Sequence, residues 1–388
     1  MNQVRFGIVG YGNQGSYLAG LFTGGQISQG TLAAVCDVNP AKIRAAKSVL
    51  GDGVRYFGDY KEMIAAGCID AVIVAVPHYN HPSICTDFLR ADIHTLCEKP
   101  AGVYTRQVEE MNSAAKQSKA LFAMMFNQRT NCVYRKMREI LQSGGIGTVQ
   151  RVNWIITHWY RNQSYYDSAS WRATWAGEGG GVLINQCPHQ IDLMQWILGE
   201  MPVAATSFCQ YGRWHDIEVE DEVTAYFEFP CGATGVFITT TGETPGTNRL
   251  EISGTMGKLL CENEKLIYIK NTHDALEFSK TATEPFARPD CRGEIVETDG
   301  ENTQHAGIIN NFAAAVLGKE PLFVPGEDGI RGVEIMNAVE LSTWLGNKRV
   351  AFPIDGDLYL QKLNEHRSRS RQKAAVEERI SDPTGKLV

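Results

Sequence analysis

A glycine-rich turn near the start of the sequence has the residue types and the spacing to bind the phosphates of a dinucleotide. An apolar run over residues 4–9 leads into Gly10, Gly12 and Gly15, spaced as G-x-G-x-x-G, and residues 16–22 read as a helix. In such a unit the first glycine makes the turn, the second lets the backbone approach a pyrophosphate, and the third lets the helix pack close to the strand. The free N–H groups at the start of the helix then bind the phosphates. The pattern predicts a dinucleotide site.

A carboxylate follows the next predicted strand. Residues 32–37 form an apolar run that ends in Asp37, about 20 residues past the glycine turn, where a carboxylate can accept hydrogen bonds from the ribose hydroxyls of NAD. An arginine directly after Asp37 would indicate NADP, but residues 38–40 are Val-Asn-Pro. The sequence therefore favours NAD as the cofactor.

Lys99 lies at a point where a charged side chain could reach the same ligand. It follows the predicted strand 93–97, within the triplet Glu98-Lys99-Pro100. Ligands of open α/β sheets bind beyond the carboxyl ends of the strands, and a following proline restricts Lys99 to an extended backbone. We therefore interpret Lys99 as an ammonium at the mouth of the cofactor cleft rather than as a surface lysine in a turn.

A second group of polar side chains falls in the segment 181–199, which begins and ends with glycine and has helical apolar spacing. Asn185, His189 and Asp192 are four and then three residues apart, so a helix would present them on one face. Pro188 has no N–H and fits only in a first turn or at a kink, which places His189 near a helix N-terminus. There the helix dipole disfavours the imidazolium and keeps the ring neutral, as a base requires.

Together these residues have the chemistry to oxidise a secondary alcohol. Hydride transfer to nicotinamide requires the hydroxyl proton to leave as the hydride departs from the same carbon. A neutral His189 can accept that proton, and the Lys99 ammonium can stabilise the developing alkoxide. We therefore interpret His189 as the base and Lys99 as the orienting hydrogen-bond donor. The alternative for His189 is a structural histidine.

The elements that must position these residues fall into two patterns. Residues 1–126 alternate strands and helices, which predicts a doubly wound parallel sheet of the Rossmann type with helices on both faces. Residues 127–355 begin with an amphipathic helix at 134–141. Successive strands then follow at hairpin spacing, which predicts an α+β domain with a large, mainly antiparallel sheet and one open face. These strands are expected at 149–160, 203–212, 222–229, 233–241, 248–253, 258–261 and 264–270.

The remaining residues, 356–388, are highly charged and poor in apolar side chains, which indicates either a helical extension or a mobile tail. The net charge of the 388-residue chain is −7, which argues against a nucleic-acid surface because phosphate binding relies on a basic face. A basic cluster at 367–373 is interpreted as a solvated face. We expect a small-molecule substrate and neither a nucleic-acid nor a membrane partner.

The ten cysteines contain no C-x-x-C pair and mostly lie in apolar runs, so they are interpreted as core residues in a reducing compartment. Cys187 with His189 could begin a zinc site, but the other ligands of such sites are missing, and we expect no metal. The N-terminus lacks the features of a signal peptide, and no apolar run approaches about 18 residues. The sequence therefore predicts a cytoplasmic protein.

Several short motifs give the chain a resemblance to a known family. The glycine turn, the Pro-x-x-x-His spacing from Pro77 to His81 and the Glu-Lys-Pro triplet together resemble the Gfo/Idh/MocA family of NAD(P)-dependent sugar and inositol oxidoreductases. The likeness spans about residues 4–352 and continues through 126–129, 144–147, Trp171-Arg172, 179–181, His305 and Phe312.

The resemblance implies roles for further residues. Besides the three glycines and Asp37, the positions implied in cofactor binding are Asn13, Gln14, Pro77, Asn80, His81, Glu98, Lys99 and Asn127. Trp171, Arg172, Asn185 and Asp192 are expected to bind substrate, and the resemblance implies that Trp171 and Arg172 lie against the cofactor. His158 ends a predicted strand and either lines the substrate site or is a structural histidine. Glu98 is expected to hold its loop rather than to react. Members of the family commonly pair their open sheet faces, so a homodimer or homotetramer is expected.

The sequence departs from the family's usual second-domain pattern, D-x-G-x-H, at two positions. Asn185 replaces the aspartate and Cys187 replaces the glycine. An asparagine can bind a substrate hydroxyl but cannot carry a charge or receive a proton. A relay of lysine, aspartate and histidine is therefore in doubt, and with it a simple transfer of the inositol dehydrogenase substrate.

Three functions remain open. The first is an NAD-dependent dehydrogenase that acts on a cyclic polyol or a pyranoside, for example at sugar C3. The second is a redox-neutral glycoside hydrolase or lyase that forms a transient 3-keto sugar, which would need a base beside C2, such as His158 or a loop tyrosine. The third is a regulator that senses NAD or a sugar, although such a protein has no need for a proton acceptor.

Overall fold

The N-terminal part of the chain folds around a parallel sheet. The structure is a computed structural model that describes residues 3–371 and residue 373. In chain order the first elements are β1 (Val4–Val9), α1 (Asn13–Thr23), β2 (Gly30–Cys36), α2 (Pro40–Leu50), β3 (Arg55–Phe57), α3 (Tyr60–Ala65), β4 (Ala71–Val74), α4 (His81–Arg90), β5 (His94–Cys97), α5 (Thr105–Gln117) and β6 (Phe122–Met124).

These six strands have the order β3-β2-β1-β4-β5-β6, and every neighbouring pair is parallel. The central strand β4 is buried along its whole length, as expected for a strand with helices on both faces. The order reverses direction between β1 and β4, and ligands of such sheets bind at this switch point, beyond the carboxyl ends of the strands. The predicted doubly wound sheet is confirmed, and the glycine turn lies at its switch point.

The rest of the chain builds a second, larger sheet. Its elements are α6 (Cys132–Gln142), β7 (Val149–Ile156), α7 (Gln163–Tyr166), α8 (Val182–Asn185), α9 (Pro188–Leu198), β8 (Ala204–Tyr211), β9 (Glu220–Glu228), β10 (Thr234–Thr240), β11 (Asn248–Gly254), β12 (Gly257–Glu262), β13 (Lys265–Asn271), α10 (Ala275–Thr281), β14 (Cys291–Ile295), α11 (Gln304–Val316), α12 (Gly329–Trp344), β15 (Val350–Ala351) and α13 (Gly356–Arg367).

The nine strands of this sheet have the order β14-β13-β12-β11-β7-β10-β9-β8-β15. The pair β7–β10 is parallel and the other pairs are antiparallel, which confirms the predicted, mainly antiparallel sheet. Strands β14 and β15 were not predicted. All residues of β14 are exposed and β15 has two residues, so neither carries an alternating apolar pattern.

One face of the second sheet is covered by helices and the other is open. Helix α12 packs on β8, where the Ser342 hydroxyl accepts a hydrogen bond from the Ser207 backbone N–H at 2.9 Å. On the opposite face Phe208 and Tyr226 are 57% and 41% exposed. Because side chains alternate along a strand, the buried and exposed residues of β8 and β9 separate onto these two faces.

The segment that carries His189 forms two helices rather than one. Helix α8 ends at Asn185, and α9 begins at Pro188. Because proline has no N–H to donate, it is accommodated in the first turn of α9. His189 is therefore the second residue of α9, in the first turn as the sequence predicted, whereas Asn185 belongs to a separate short helix.

The C-terminal helix α13 packs onto the second sheet's helical layer. Its Tyr359 and Leu363 are buried, and the Tyr359 ring stacks on Trp344 with ring centroids 5.2 Å apart. Of the two alternatives for residues from 356 onward, this helix corresponds to the helical extension. Residues 372 and 374–388 of the predicted charged extension lie outside the described residues.

The basic cluster at the end of α13 is not a uniformly solvated face. Arg369 is exposed, as predicted. The prediction is wrong for Lys373, whose Nζ donates hydrogen bonds to the backbone carbonyls of Tyr166 and Arg172 at 2.9 and 2.8 Å. The Arg367 guanidinium also lies 4.9 Å from the centre of the Tyr79 ring. Within residues 3–371 and 373, no helix is long and apolar enough to cross a membrane.

Candidate active site

A cavity of about 980 Å³ lies at the switch point of the first sheet, against the break between α8 and α9. This volume suits a ligand of cofactor size. Side chains and backbone from both parts of the chain form its wall. The lining residues include Gly10, Gly12, Asn13, Gln14, Asp37, Pro77, Asn80, Lys99, Trp159, Arg161, Tyr165, Trp171, Arg172, Asn185, Gln186 and His189.

The glycine turn has the shape that a pyrophosphate requires. Gly10 has a positive φ of +94°, and a Cβ there would lie 2.3 Å from the carbonyl oxygen of Ala75. At Gly15 a Cβ would lie 1.8 Å from the carbonyl oxygen of Gly10, so α1 approaches β1 as closely as it does only because this residue is glycine. A Cβ at Gly12 would meet no heavy atom within 4 Å. The backbone at Gly12 therefore borders open space in front of the α1 N-terminus, where phosphate oxygens fit.

Asp37 is held in place at the end of β2. Its Oδ2 accepts a hydrogen bond from the backbone N–H of Tyr11 at 2.7 Å, and its Oδ1 accepts one from Asn39 at 2.8 Å. These bonds tie the carboxylate to the glycine turn, and Asp37 remains in the cavity wall. The arrangement can hold the ribose of a dinucleotide whose phosphates lie at Gly12.

Lys99 reaches across the cavity from β5 to the second part of the chain. Its Nζ donates a hydrogen bond to the backbone carbonyl oxygen of Asn185 at 3.1 Å. Burial lowers the pKa of Lys99, the positive charge of Arg161 lowers it further, and Glu98, Cys187 and Glu178 oppose the shift. A lysine with a lowered pKa gives up a proton more readily than an exposed one, which suits a donor to a developing alkoxide.

Glu98 lies directly behind Lys99. It accepts hydrogen bonds from the Gln14 side-chain nitrogen at 2.8 Å and from the Lys99 backbone N–H at 3.2 Å. The carboxylate is buried and is not part of the cavity wall. This geometry supports the expectation that Glu98 holds the loop, since it links the glycine turn to the strand end that carries Lys99.

His189 faces the same cavity from the first turn of α9. Its Nδ1 is buried and has no hydrogen-bond partner among the described residues. Burial holds the pKa of His189 well below its usual range, and the positive charge of Lys99 adds to the shift, as does His305. The ring is therefore neutral at neutral pH and can accept a proton. A buried nitrogen without a partner in a cavity wall is free to bind a ligand atom.

A carboxylate that the motifs did not reveal stands behind Asn185. The Asn185 side-chain nitrogen donates a hydrogen bond to Oε1 of Glu178, and Oε2 of Glu178 accepts one from Ala173 at 2.6 Å. Burial raises the pKa of Glu178, although Arg172 and these hydrogen bonds act in the opposite direction. Glu178 immediately precedes the three glycines at 179–181, and that position is the signal from which it could have been found.

Aromatic and basic side chains form a further part of the wall. The Arg172 guanidinium lies 4.4 and 4.6 Å from the ring centres of Tyr165 and Trp171, and it donates a hydrogen bond to the Tyr165 hydroxyl at 2.7 Å. Trp159 and Arg161 are also in this wall and were not expected there. The wall can pack against a ring and present donors to oxygen atoms.

The two parts of the chain that form this cavity match models of one protein family. Residues 4–126 match the model described as an oxidoreductase family with an NAD-binding Rossmann fold, and residues 134–260 match the GFO/IDH/MocA C-terminal domain. The chain belongs to the GFO/IDH/MocA family. It is therefore an NAD-binding oxidoreductase, as the motifs predicted.

Relatives within the GFO/IDH/MocA family are similar over most of the chain. An inositol 2-dehydrogenase from Rhizobium meliloti is 25% identical over 340 residues, which are 86% of this chain and 95% of that protein. A myo-inositol 2-dehydrogenase from Thermotoga maritima is 26% identical over 333 residues, or 84% and 92%. The crystal structure of the WlbA dehydrogenase from Bordetella pertussis, in complex with NADH and UDP-GlcNAcA, matches with a TM-score of 0.76 and 24% identity over 91% of this chain and 100% of that chain.

Asp192 does not lie with the other predicted substrate-binding residues of this family member. It is 1% exposed and is absent from the cavity wall. Its two carboxylate oxygens accept hydrogen bonds from Nε and Nη2 of Arg129 at 2.8 and 2.6 Å. The prediction that Asp192 binds substrate is corrected, because a buried carboxylate is stable only with a partner and Arg129 supplies it away from the cavity.

Of the two alternatives for His158, a place in the substrate site is not supported, because the residue lies outside the cavity wall. Strand β7 ends at Ile156, so the expected strand position of His158 lies beyond the sheet. The side chain is not in the cavity wall, and its ring packs on Trp159 with ring centroids 4.5 Å apart. Trp159 and Arg161, rather than His158, therefore bring this stretch to the cavity.

Besides Glu98, two further positions implied in cofactor binding lie behind the wall. His81 is 1% exposed, and its Nδ1 lies 2.7 Å from the carbonyl oxygen of Pro100. Asn127 is 3% exposed and donates its amide to the Gln304 side chain. These contacts correct the expectation of direct cofactor contact. Asn13, Gln14, Pro77 and Asn80 are in the wall.

Cys187, at the position where the family usually has glycine, is buried, and its Sγ lies 3.1 Å from the Thr239 hydroxyl. Burial raises the pKa of Cys187 to about 12, so the thiol stays protonated and is a poor metal ligand or nucleophile. Across residues 3–371 and 373, no group of three or more His, Cys, Asp or Glu side chains is arranged to hold a metal ion.

Proposed function

We propose that the protein oxidises a secondary hydroxyl of a pyranoside or cyclic polyol, with His189 as the base and Lys99 as the hydrogen-bond donor. The observation that carries the proposal is that both side chains lie in the wall of the cavity that begins at the glycine turn. NAD bound there would supply the hydride acceptor, and a hydroxyl held next to it could give its proton to one of these two side chains.

The roles of His189 and Lys99 follow from the shifts of their pKa values. The pKa of His189 is held well below its usual range by burial, so its ring is ready to accept the hydroxyl proton. Lys99 remains the cationic partner and can hydrogen-bond the same oxygen as negative charge develops on it. The backbone carbonyl of Asn185 holds the Lys99 Nζ from the other side.

The substrate class rests on the shape of the wall and on the relatives. Trp159, Tyr165 and Trp171 provide rings that suit the apolar face of a cyclic substrate. The two inositol dehydrogenases that resemble the chain over most of its length act on a cyclic polyol. Sugar C3 is the first position to test, beside the ring hydroxyls of inositols.

NAD is the preferred cofactor in this proposal because Asp37 is fixed by two backbone N–H groups where the ribose would lie. A carboxylate there binds the two ribose hydroxyls of NAD and repels the extra phosphate of NADP. We expect Asp37→Ser to lower the ratio of kcat/KM for NAD to that for NADP by about tenfold or more. Asp52→Ser, on the exposed stretch after α2, is the control. An unchanged ratio would contradict the assignment.

The central experiment measures NADH formation with a panel of inositols, free sugars, glycosides and nucleotide sugars. Lys99→Ala and His189→Ala are each expected to lower kcat by about 100-fold or more, in the range of acid–base and electrostatic contributions. Lys348→Ala, at an exposed lysine, is the matched control and should leave kcat unchanged.

Two outcomes would overturn the proposal. Glycoside cleavage that requires Lys99 but forms no net NADH would establish the redox-neutral hydrolase. NAD and sugar binding without any turnover would establish a sensor. In the hydrolase case Tyr165, rather than His158, is the candidate base beside C2, because only Tyr165 is in the wall.

We further propose that the open face of the second sheet joins copies of the chain into a homodimer or homotetramer. Phe208 and Tyr226 are exposed on that face, and large apolar side chains on an open sheet are suited to an interface. Light scattering of the protein and of a Phe208→Glu, Tyr226→Glu variant tests this. A monomer before substitution would disprove it.

A further inference from the structure

The cavity wall carries two guanidinium groups that lie against the same ring. Arg161 lies 5.1 Å and Arg172 4.4 Å from the centre of the Tyr165 ring. The backbone N–H of Arg161 is fixed by the carbonyl oxygen of Thr241 at 2.9 Å. Both side chains line the cavity. The fold therefore holds two positive charges close together in the cavity wall.

Within the described part of the chain, Arg161 lacks the carboxylate partner that other arginines have. Arg106 and Arg349 bind Asp357 and Glu228 at 2.6 and 2.8 Å. Among the described residues Arg161 forms no ion pair and donates to the backbone carbonyls of Trp159 and Tyr160.

Arg172 is only weakly compensated. The nearest carboxylate oxygen, from Glu178, is 3.9 Å away, and Glu178 is already bound to Asn185 and to the backbone N–H of Ala173. The Nε of Arg172 is buried and has no hydrogen-bond partner among the described residues. A buried donor of this kind costs free energy unless a ligand satisfies it.

The charges of the wall also favour an anionic ligand. Besides the glycine turn, the wall carries Lys99, Arg161 and Arg172, while its carboxylate, Asp37, is bound to Tyr11 and Asn39 beside that turn. A neutral polyol would leave the Nε of Arg172 without an acceptor among the described residues, whereas an anionic group would satisfy the guanidinium donors.

We infer that the substrate carries an anionic oxygen group, a carboxylate or a phosphoryl group, which binds to Arg161 and Arg172. This inference rests on the proposed function for the reaction but makes a separate statement about binding. Guanidinium groups bind both kinds of anion through paired hydrogen bonds. The hydroxyl to be oxidised then lies between this anchor and the pair formed by Lys99 and His189.

The test measures binding to the NAD-loaded protein by calorimetry, independently of turnover. The probes are methyl glucuronoside, glucose 6-phosphate, the neutral methyl glucoside and inorganic phosphate. We expect at least one anionic probe to bind about 10-fold or more tightly than methyl glucoside, the range of a charge-assisted hydrogen bond, and to weaken with added salt. Which of the two sugars binds distinguishes a carboxylate from a phosphoryl group.

Variants assign the binding to the arginines. Arg161→Gln should remove the preference for the anion and leave binding of methyl glucoside unchanged, whereas Arg161→Lys should keep part of it. Arg349→Gln removes the same charge from an exposed ion pair far from the cavity and should change neither. Arg172→Lys serves as the second site variant, because it retains the charge next to Tyr165.

Three results would overturn the inference. The first is that no anionic probe, inorganic phosphate included, binds in an Arg161-dependent way. The second is that Arg161→Gln weakens anionic and neutral probes alike. The third is that anions bind only when NAD is absent, which would assign the arginines to the cofactor's pyrophosphate. If neutral substrates form NADH and substitution of Arg161 has no effect, the proposed function holds and this inference is wrong. If anions bind in an Arg161-dependent way but no NADH forms, this inference holds and the proposed function is wrong.

Discussion

The Nζ of Lys99 lies 3.1 Å from the backbone carbonyl oxygen of Asn185. This hydrogen bond joins the end of β5 to the end of α8. Because the acceptor is main chain, it does not depend on the side chain at position 185. The Asn185 amide is instead turned towards Glu178. The position where the family usually has aspartate is therefore filled by an amide, and a carboxylate stands behind it.

An aspartate in place of Asn185 should destabilise the protein in a pH-dependent way. In Asn185→Asp two carboxylates would face each other, so one must hold a proton and its pKa in the folded state rises above the unfolded value. Stability is then unaffected at low pH and is lost as pH rises past the ordinary carboxyl range. We expect the free energy of unfolding in urea to fall by about 1–3 kcal/mol between about pH 4 and about pH 8, relative to the parent. Asn185→Asp combined with Glu178→Gln should recover this loss, and an equal deficit at both pH values would contradict the account.

The pH profile of kcat/KM should report His189 and Lys99. The pKa of His189 is held well below its usual range, so kcat/KM should stay constant as pH falls through about 6.5 and decline only below it. The pKa of Lys99 is lowered, so the decline at high pH should begin below the ordinary lysine value of about 10.4. Lys99→Arg keeps its charge to higher pH and should move this alkaline limb upward. A limb that stays in place would assign it to another group.

Asp192 should matter for folding rather than for substrate binding. Its ion pair with Arg129 is 1% exposed on both sides. Because Arg129 keeps Asp328 as a second partner at 2.8 Å, losing the charged hydrogen bonds to Asp192 should cost about 1–3 kcal/mol. We expect Asp192→Asn to lower the free energy of unfolding by about this amount while KM of the folded protein stays unchanged. Asp299→Asn, from the half-exposed pair with Arg135, should cost about 0–1 kcal/mol. A stable variant with a raised KM would restore Asp192 to the substrate site.

Lys373 should hold the loop that carries Trp171 and Arg172. Its two hydrogen bonds to backbone carbonyls tie the stretch that follows α13 to residues 166 and 172. Lys373→Met should raise KM several-fold with a small change in kcat, and amide hydrogen exchange over residues 163–178 should become faster. Arg369→Met, in the same basic cluster but exposed, is the control. Unchanged exchange would show that Lys373 does not hold the loop.

The sequence by itself determined the features that depend on local chemistry. Glycine is needed where φ is positive or where a Cβ would collide, as at Gly10 and Gly15, and proline is restricted to the first turn of a helix, as at Pro188. These restrictions act within a few residues, so they identify the glycine turn and the place of His189 without a three-dimensional structure. Strand ends are local in the same way, and they identified Asp37 and Lys99.

The tertiary structure alone decided which polar side chains face the cavity and which face each other. Asp192 and His189 are three residues apart, yet one binds Arg129, 63 positions away, and the other lines the cavity. Lys373 reaches a carbonyl 201 positions away and was expected to be solvated. Periodicity shows on which face of a helix or strand a residue lies, but the partner that satisfies a buried charge comes from a distant segment. For the same physical reason, the place of Glu178 behind Asn185 and that of Arg161 in the cavity wall follow only from the tertiary structure.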